Sequence, residues 1–171
     1  ICSGLVGSEM CIRDSYYGDE IGSLNDSSYL EDENKAGDNR WMHRPIIDWE
    51  RAERRHQRGS VEQRIFDGLK KMIDVRKGIP AFADFNNREL IDVSNPHLFV
   101  FWRTDYLLPT GSVLVVANFD DSPQYMELDA LGNRGMFGYG SLQDLYSGES
   151  PRLFKDQLVV PAYRFYWLTD Q

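Results

Sequence analysis

Two adjacent carboxylates, Asp19 and Glu20, lie in the run Tyr16-Tyr17-Gly18-Asp19-Glu20-Ile21-Gly22. A retaining glycosidase works with two carboxyl groups about 5 Å apart across the scissile bond. Neighbouring residues on an extended segment point to opposite faces, so this pair cannot close on one bond and reads instead as loop-shaping acceptors. A second candidate follows in Asp38-Asn39-Arg40-Trp41-Met42-His43-Arg44-Pro45. Arg40 offers a planar fork that can hold a carboxylate through two parallel hydrogen bonds. Asp38 can orient that fork or cap the turn, and capping is the commoner use of an Asp in such a place. A Trp beside His-Arg-Pro usually packs its loop against a scaffold. The arginines Arg51, Arg54, Arg55 and Arg58 interleave with Glu50 and Glu53 and read as a solvated face. His43, His56 and His97 are too scattered to mark a metal site, and there is no P-loop, GxGxxG or GxSxG. No metal and no cofactor is expected.

Composition bounds the partners. The chain has 171 residues and a net charge of -8, with 42% hydrophobic and 13% aromatic residues. A surface of that sign repels phosphate backbones and anionic lipid, so neither nucleic acid nor a membrane surface is an expected partner. No apolar run is long enough to span a bilayer. A neutral sugar meets no such barrier, and aromatic faces stack on the C–H faces of sugars, although aromatics at alternating strand positions are mostly core. The two cysteines, Cys2 and Cys11, form no disulfide framework and show no metal-ligand spacing.

Something must position these residues. Residues 23–58 have little periodic pattern, and a loop of that length in a compact domain is uncommon unless it is functional and carried by a scaffold. The next stretch predicts a helix over residues 60–77. Ser60 and Gln63 have capping-box spacing, and Val61, Ile65, Phe66, Leu69, Met72 and Ile73 recur on one face. Lys70, Lys71, Arg76 and Lys77 suit the negative end of the helix dipole, and Gly78 and Pro80 stop the helix. From residue 81 the period changes. Short β-type runs at Leu98–Trp102, Val113–Ala117, Leu142–Tyr146, Gln157–Val160 and Tyr163–Leu168 alternate with turn clusters, the signature of a small antiparallel sandwich or barrel. One helix cannot bury its own apolar stripe, so a larger α/β domain is expected to cover it.

The run Tyr16–Gly22 resembles the segment that closes the eighth strand of the catalytic barrel in α-amylase superfamily enzymes. With Ser23-Leu24-Asn25-Asp26 and the run Asp38–Pro45, the resemblance narrows to amylosucrase. Met72–Phe82 resembles the last barrel helix and its exit, and Arg164-Phe165-Tyr166-Trp167-Leu168 resembles the final strand of the C-terminal β domain. The implied fold class is α/β plus all-β: the end of a (β/α)8 barrel (last strand, loop and helix) over residues 16–80, followed by an antiparallel C-terminal β-sandwich over residues 81–171. A barrel needs about 200 residues or more, so most of it would precede this chain. Its three acidic catalytic residues, at the ends of the fourth, fifth and seventh strands, would precede it too; no catalytic residue is assigned here. Residues 1–15 depart from the pattern. Glu9, Arg13 and Asp14 stand where a central parallel strand should be continuously apolar, and the segment is expected to be foreign to the rest.

The resemblance implies that Arg40, paired with a carboxylate from elsewhere in the barrel, closes the floor of a glucose pocket, with Asp38 beside it and Trp41 and His43 towards the acceptor side. The implied parent is a retaining sucrose-acting glucosyltransferase that builds α-1,4-glucan, with sucrose and α-glucan as its partners and with this chain inactive alone. An α-glucosidase, sucrose hydrolase or trehalose-forming isomerase fits the same frame. A non-catalytic carbohydrate-binding β module is the alternative of a different class.

Overall fold

The structure, a computed structural model, describes residues 18–84, 86–107, 111–131 and 142–170. The foreign-looking segment 1–15 and the expected strand end at Tyr16-Tyr17 lie outside the described residues. The chain divides into two compact units between Met72 and Ile73.

In the first unit the described residues form no β-strand, so the expected end of a barrel is not visible there. The stretch expected to be plain loop is instead a series of short helical turns: 3-10 segments at Asp19–Ile21, Ser28–Glu31, Asn39–His43 and Arg54–His56, and the short helix α1, Trp49–Glu53. Their cause is local. Asp side chains take free N–H groups in several of these turns, as Asp26 does from Ser28, Asp32 from Asn34, Asp38 from Arg40 and Asp48 from Arg51. Helix α2, Val61–Lys77, forms where the spacing predicts it. Ser60 Oγ accepts from the Gln63 N–H at 3.0 Å, and Gln63 returns by accepting from the N–H of Gly59 rather than that of Ser60. The capping box is thus shifted by one residue.

The burial along α2 follows its amphipathic pattern only in part. Its one buried side chain is Glu62, while Val61 is 50% exposed and no apolar residue of the helix is fully buried. Buried apolar side chains of this unit are Ile21, Tyr29 and Ala52, while Leu24, Ile46 and Trp49 stand largely in solvent. A helix gains most of its stability by burying an apolar face, and here Ile65, Phe66, Leu69 and Met72 are half-buried while Val61 and Ile73 stand exposed.

The second unit carries the antiparallel structure. Its strands are β1 (Arg88–Leu90), β2 (Leu98–Arg103), β3 (Val113–Asn118), β4 (Gln124–Glu127), β5 (Leu142–Asp144), β6 (Leu153–Phe154), β7 (Gln157–Val160) and β8 (Phe165–Asp170). Among the described residues they form a five-stranded sheet, β1-β2-β3-β8-β5, and a three-stranded sheet, β4-β7-β6, with antiparallel pairing throughout. Val100, Trp102, Leu114, Val116 and Leu168 from the larger sheet meet Met126, Leu158 and Val160 from the smaller in one core. This is the expected sandwich packing of two inner faces.

The larger sheet is covered on its other face as well. Val113 and Val115 are also buried, which explains why β3 reads as a continuous apolar run rather than an alternating one. Part of the cover is the 3-10 turn Pro80–Phe82, whose Phe82 ring lies 5.0 Å from that of Trp167. Phe165, Trp167 and Tyr146 continue the cluster.

Candidate functional site around Arg40

The segment Asp38–Arg44 is a tight, self-bonded turn. Asp38 holds an extended backbone and caps the 3-10 segment by accepting from the Arg40 N–H at 3.0 Å. The same carboxylate takes the guanidinium side-on: Arg40 Nε donates to Oδ1 at 2.8 Å and Oδ2 at 3.0 Å, and Nη2 donates to Oδ2 at 2.7 Å. Both roles weighed for Asp38, cap and orienter, are therefore filled at once. These bonds favour the ionised acid, and the Asp38 carboxyl is held down at about 2 while the Arg40 guanidinium is raised above its usual value. Arg40 is nonetheless 71% exposed along its side chain. The fork is fixed in direction yet open to a ligand.

The remaining predicted residues brace this turn. His43 Nδ1 lies 3.0 Å from Asn25 Oδ1, and the Asp26 N–H donates to the Met42 carbonyl at 2.9 Å, so residues 25–26 are clipped to the end of the Arg40 segment. Trp41 has Lys35 Nζ 5.3 Å from its ring centroid. Lys35 in turn pairs with Asp32 at 3.3 Å. Trp41 thus serves the packing of the loop in this structure and keeps about a third of its surface exposed. Asp38 and Arg40 come together directly, while Trp41 and His43 adjoin them along the chain.

Glu20 behaves as read from the sequence, accepting from the Gly18 N–H at 3.0 Å and shaping the loop. Gly18 and Gly22 have φ of 94° and 63°, the left-handed region that glycine enters at no steric cost. At Gly22 a Cβ would also come within 2.5 Å of Ile65 Cδ1 on α2.

The arginine cluster departs from the expected solvated face at Arg51. Arg51 is not a solvated residue: its Nε donates to Glu62 Oε1 at 2.8 Å and its Nη2 to the Gly22 carbonyl at 2.8 Å. The pair ties the loop start, helix α1 and helix α2 together, which explains why Glu62 is buried. The hydrogen bond from Arg51 holds the Glu62 carboxyl below its ordinary range. Nothing local in the sequence marks this pairing, since the partners stand 11 and 29 residues away. Among the described residues no cluster of three or more His, Cys, Asp or Glu side chains is placed to hold a metal ion.

No family model matches the sequence. Among the solved structures that the chain resembles are two of pullulanase from Anoxybacillus sp. LM18-11. One aligns with a TM-score of 0.49 and 15% identity, over 78% of this chain and 17% of that chain. The other, complexed with maltotriose, aligns with a TM-score of 0.46 and 16% identity, over 76% of this chain. The chain spans 17% of the pullulanase chains it matches. Likeness at this level fixes neither family nor substrate.

Proposed function

We propose that this chain is the C-terminal part of a retaining α-amylase-superfamily enzyme of the amylosucrase type, with residues 16–80 completing a catalytic barrel and residues 81–171 forming its C-terminal β domain. The observation that supports it most directly is the apolar stripe of α2, which is covered only in part: Ile65, Phe66, Leu69 and Met72 are half-buried, and Val61 and Ile73 are exposed. Such a helix requires a further layer to cover it, and the last helix of a (β/α)8 barrel has such a layer in the barrel wall. The antiparallel second unit fits the domain that follows.

In this reading Arg40 is a substrate-binding residue. Its fork, held side-on by Asp38, forms a charged floor against which the hydroxyl groups of a terminal glucose can hydrogen-bond. A rigid guanidinium rejects a longer chain at that end because a further sugar would have to displace the pair. The nucleophile and the acid/base carboxylates lie upstream. Retention proceeds through a glucosyl–enzyme ester that is resolved by the 4-hydroxyl of a growing glucan or by water.

The test uses the full-length protein with sucrose as sole substrate. Release of fructose with formation of insoluble glucan is expected. Glucose and fructose in equal amounts, with no glucan, would assign a hydrolase instead. Arg40→Ala is expected to raise KM and lower kcat/KM by about tenfold to a hundredfold, as for removal of a charged hydrogen-bond donor, with Arg40→Lys recovering only part of the loss. Unchanged kinetics in Arg40→Ala would remove Arg40 from the pocket.

The self-contained core of the second unit favours one rival, a non-catalytic carbohydrate-binding module. It predicts that the full-length protein is retained on amylose and turns over no glucoside.

A further inference from the structure

Glu62, the second residue of α2, is a carboxylate only 6% exposed. Acids are buried in this way when they are paired, and the partner is Arg51, whose side chain keeps 28% of its surface exposed. Helix α1 presents that arginine: Asp48 accepts from the Arg51 N–H at 3.0 Å and caps the helix that carries it. With Nε engaged by Glu62 Oε1 at 2.8 Å, the guanidinium turns Nη2 to the Gly22 carbonyl, also at 2.8 Å. A planar fork serves two acceptors on different elements at once, which the point charge of a lysine does less well.

Gly22 is where the loop towards Arg40 begins. Its left-handed φ of 63° turns the chain there, and Ile65 of α2 fills the place of its missing Cβ. Three and four residues on, the chain is fastened to the Arg40 segment. Asn25 Oδ1 lies 3.0 Å from His43 Nδ1, and the Asp26 N–H donates to the Met42 carbonyl at 2.9 Å. Leu24, between the two fixed points, is 76% exposed, so its side chain gives little anchorage.

Asp38 fixes the direction of the Arg40 fork within its own turn. A local cap cannot fix where that turn sits, because both partners move with it. The contacts that lead out of the turn to α2 run through residues 25–26 to Gly22, Arg51 and Glu62. We propose that Arg51 is a positioning residue, which through the Gly22 carbonyl sets the place of the Arg40 fork relative to the first turns of α2. This rests on the sugar-enzyme reading only for what the fork binds.

The experiment makes two measurements on the full-length protein. Arg51→Met alone leaves Glu62 buried and unpaired and can unfold the unit. Arg51→Met combined with Glu62→Leu removes both charges and keeps the loss of the Gly22 bond. In this pair variant, hydrogen exchange read by mass spectrometry over residues 23–28 is expected to quicken about tenfold, as for a local opening, with residues 63–69 of α2 unchanged. Sucrose kinetics are measured in parallel. A displacement of about 1 Å in a binding group is enough to be felt in rate, and the pair variant is expected to lower kcat/KM about tenfold, divided between KM and kcat as in Arg40→Ala. With Arg40 already Ala it should change nothing further, since residues that act through one contact are not additive. Loss of folded protein would instead lower kcat at unchanged KM, in both backgrounds alike. Glu62→Gln leaves an oxygen for Arg51 Nε and is expected to keep both the slow exchange and the wild-type KM.

Unchanged exchange over residues 23–28 in the pair variant overturns the positioning whatever the catalytic result. Faster exchange with an unchanged KM, or a KM that rises equally in the Arg40→Ala background, overturns it as well. Faster exchange in a protein whose wild type turns over no sucrose keeps the positioning of the fork and sinks the catalytic reading.

Discussion

Asp144 is the residue on which the second unit should depend most sharply for its size. It is 2% exposed at the end of β5. Its Oδ1 accepts from the Trp167 N–H at 2.8 Å and the Tyr146 N–H at 3.3 Å, and its Oδ2 from the Ser147 N–H at 3.0 Å and the Ser147 hydroxyl at 2.7 Å. One carboxylate thus joins β8 to the turn after β5 and positions the rings of Tyr146 and Trp167.

Asp144→Ala removes both acceptor oxygens and the four hydrogen bonds they receive. The Trp167 N–H is a buried donor and loses about 2 kcal/mol when left unpaired. The two turn N–H groups are partly buried and can recover some hydration, so each loses about 1 kcal/mol. The expected cost is about 4 kcal/mol, a large fraction of the stability of a domain of this size. Asp144→Asn retains one carbonyl oxygen. Placed at the Oδ1 position, it keeps Trp167 and Tyr146 but sets an amide donor against the Ser147 N–H, for a loss of about 2 kcal/mol. Urea unfolding followed by tryptophan fluorescence reads both values, provided the m-value is unchanged. A loss below about 1 kcal/mol in Asp144→Ala would refute the reasoning, because it would mean that these donors find other partners at no cost.

Two further outcomes follow from the first unit. Gly59 and Gly22 both have positive φ, but a Cβ at Gly59 meets nothing within 4 Å, whereas at Gly22 it meets Ile65. Gly59→Ala is therefore expected to cost only the backbone term of about 1 kcal/mol, and Gly22→Ala about 2 kcal/mol once Ile65 is displaced as well; equal losses in thermal unfolding would deny the close approach to α2. The Asp38 carboxyl, held at about 2 by Arg40, contributes stability that is fully present above the unfolded value of about 3.9 and is lost as pH falls through about 2. Carboxyl-resonance NMR should show Asp38 titrating near 2, and higher in Arg40→Ala, though still below the ordinary aspartate value because the backbone N–H of residue 40 remains a donor. An ordinary titration in the wild-type chain would mean that the fork is not closed on Asp38.

Much of the local structure was legible along the chain. The cap at Ser60, the apolar recurrence from Val61 to Ile73 and the stop at Gly78 and Pro80 define α2, and the structure places its ends at Val61 and Lys77. The runs at Leu98, Val113, Gln157 and Tyr163 appear as β2, β3, β7 and β8. The short helical turns within residues 23–58 leave no hydrophobic period; those at Ser28–Glu31, Asn39–His43 and Trp49–Glu53 rest on one Asp side chain reaching two or three residues ahead.

Sequence alone determined what forms within a few residues: the α2 helix, the strand runs, the cap and fork shared by Asp38 and Arg40, and a surface of net negative charge. Tertiary structure alone decided that Arg51 clamps Glu62 and that Asp144 receives the N–H of Trp167. Caps and periods act through neighbours along the chain and so leave a mark in residue spacing. Pairings across 11, 23 or 29 residues depend on which strands and turns meet in space, and neither partner by itself marks the other in the sequence.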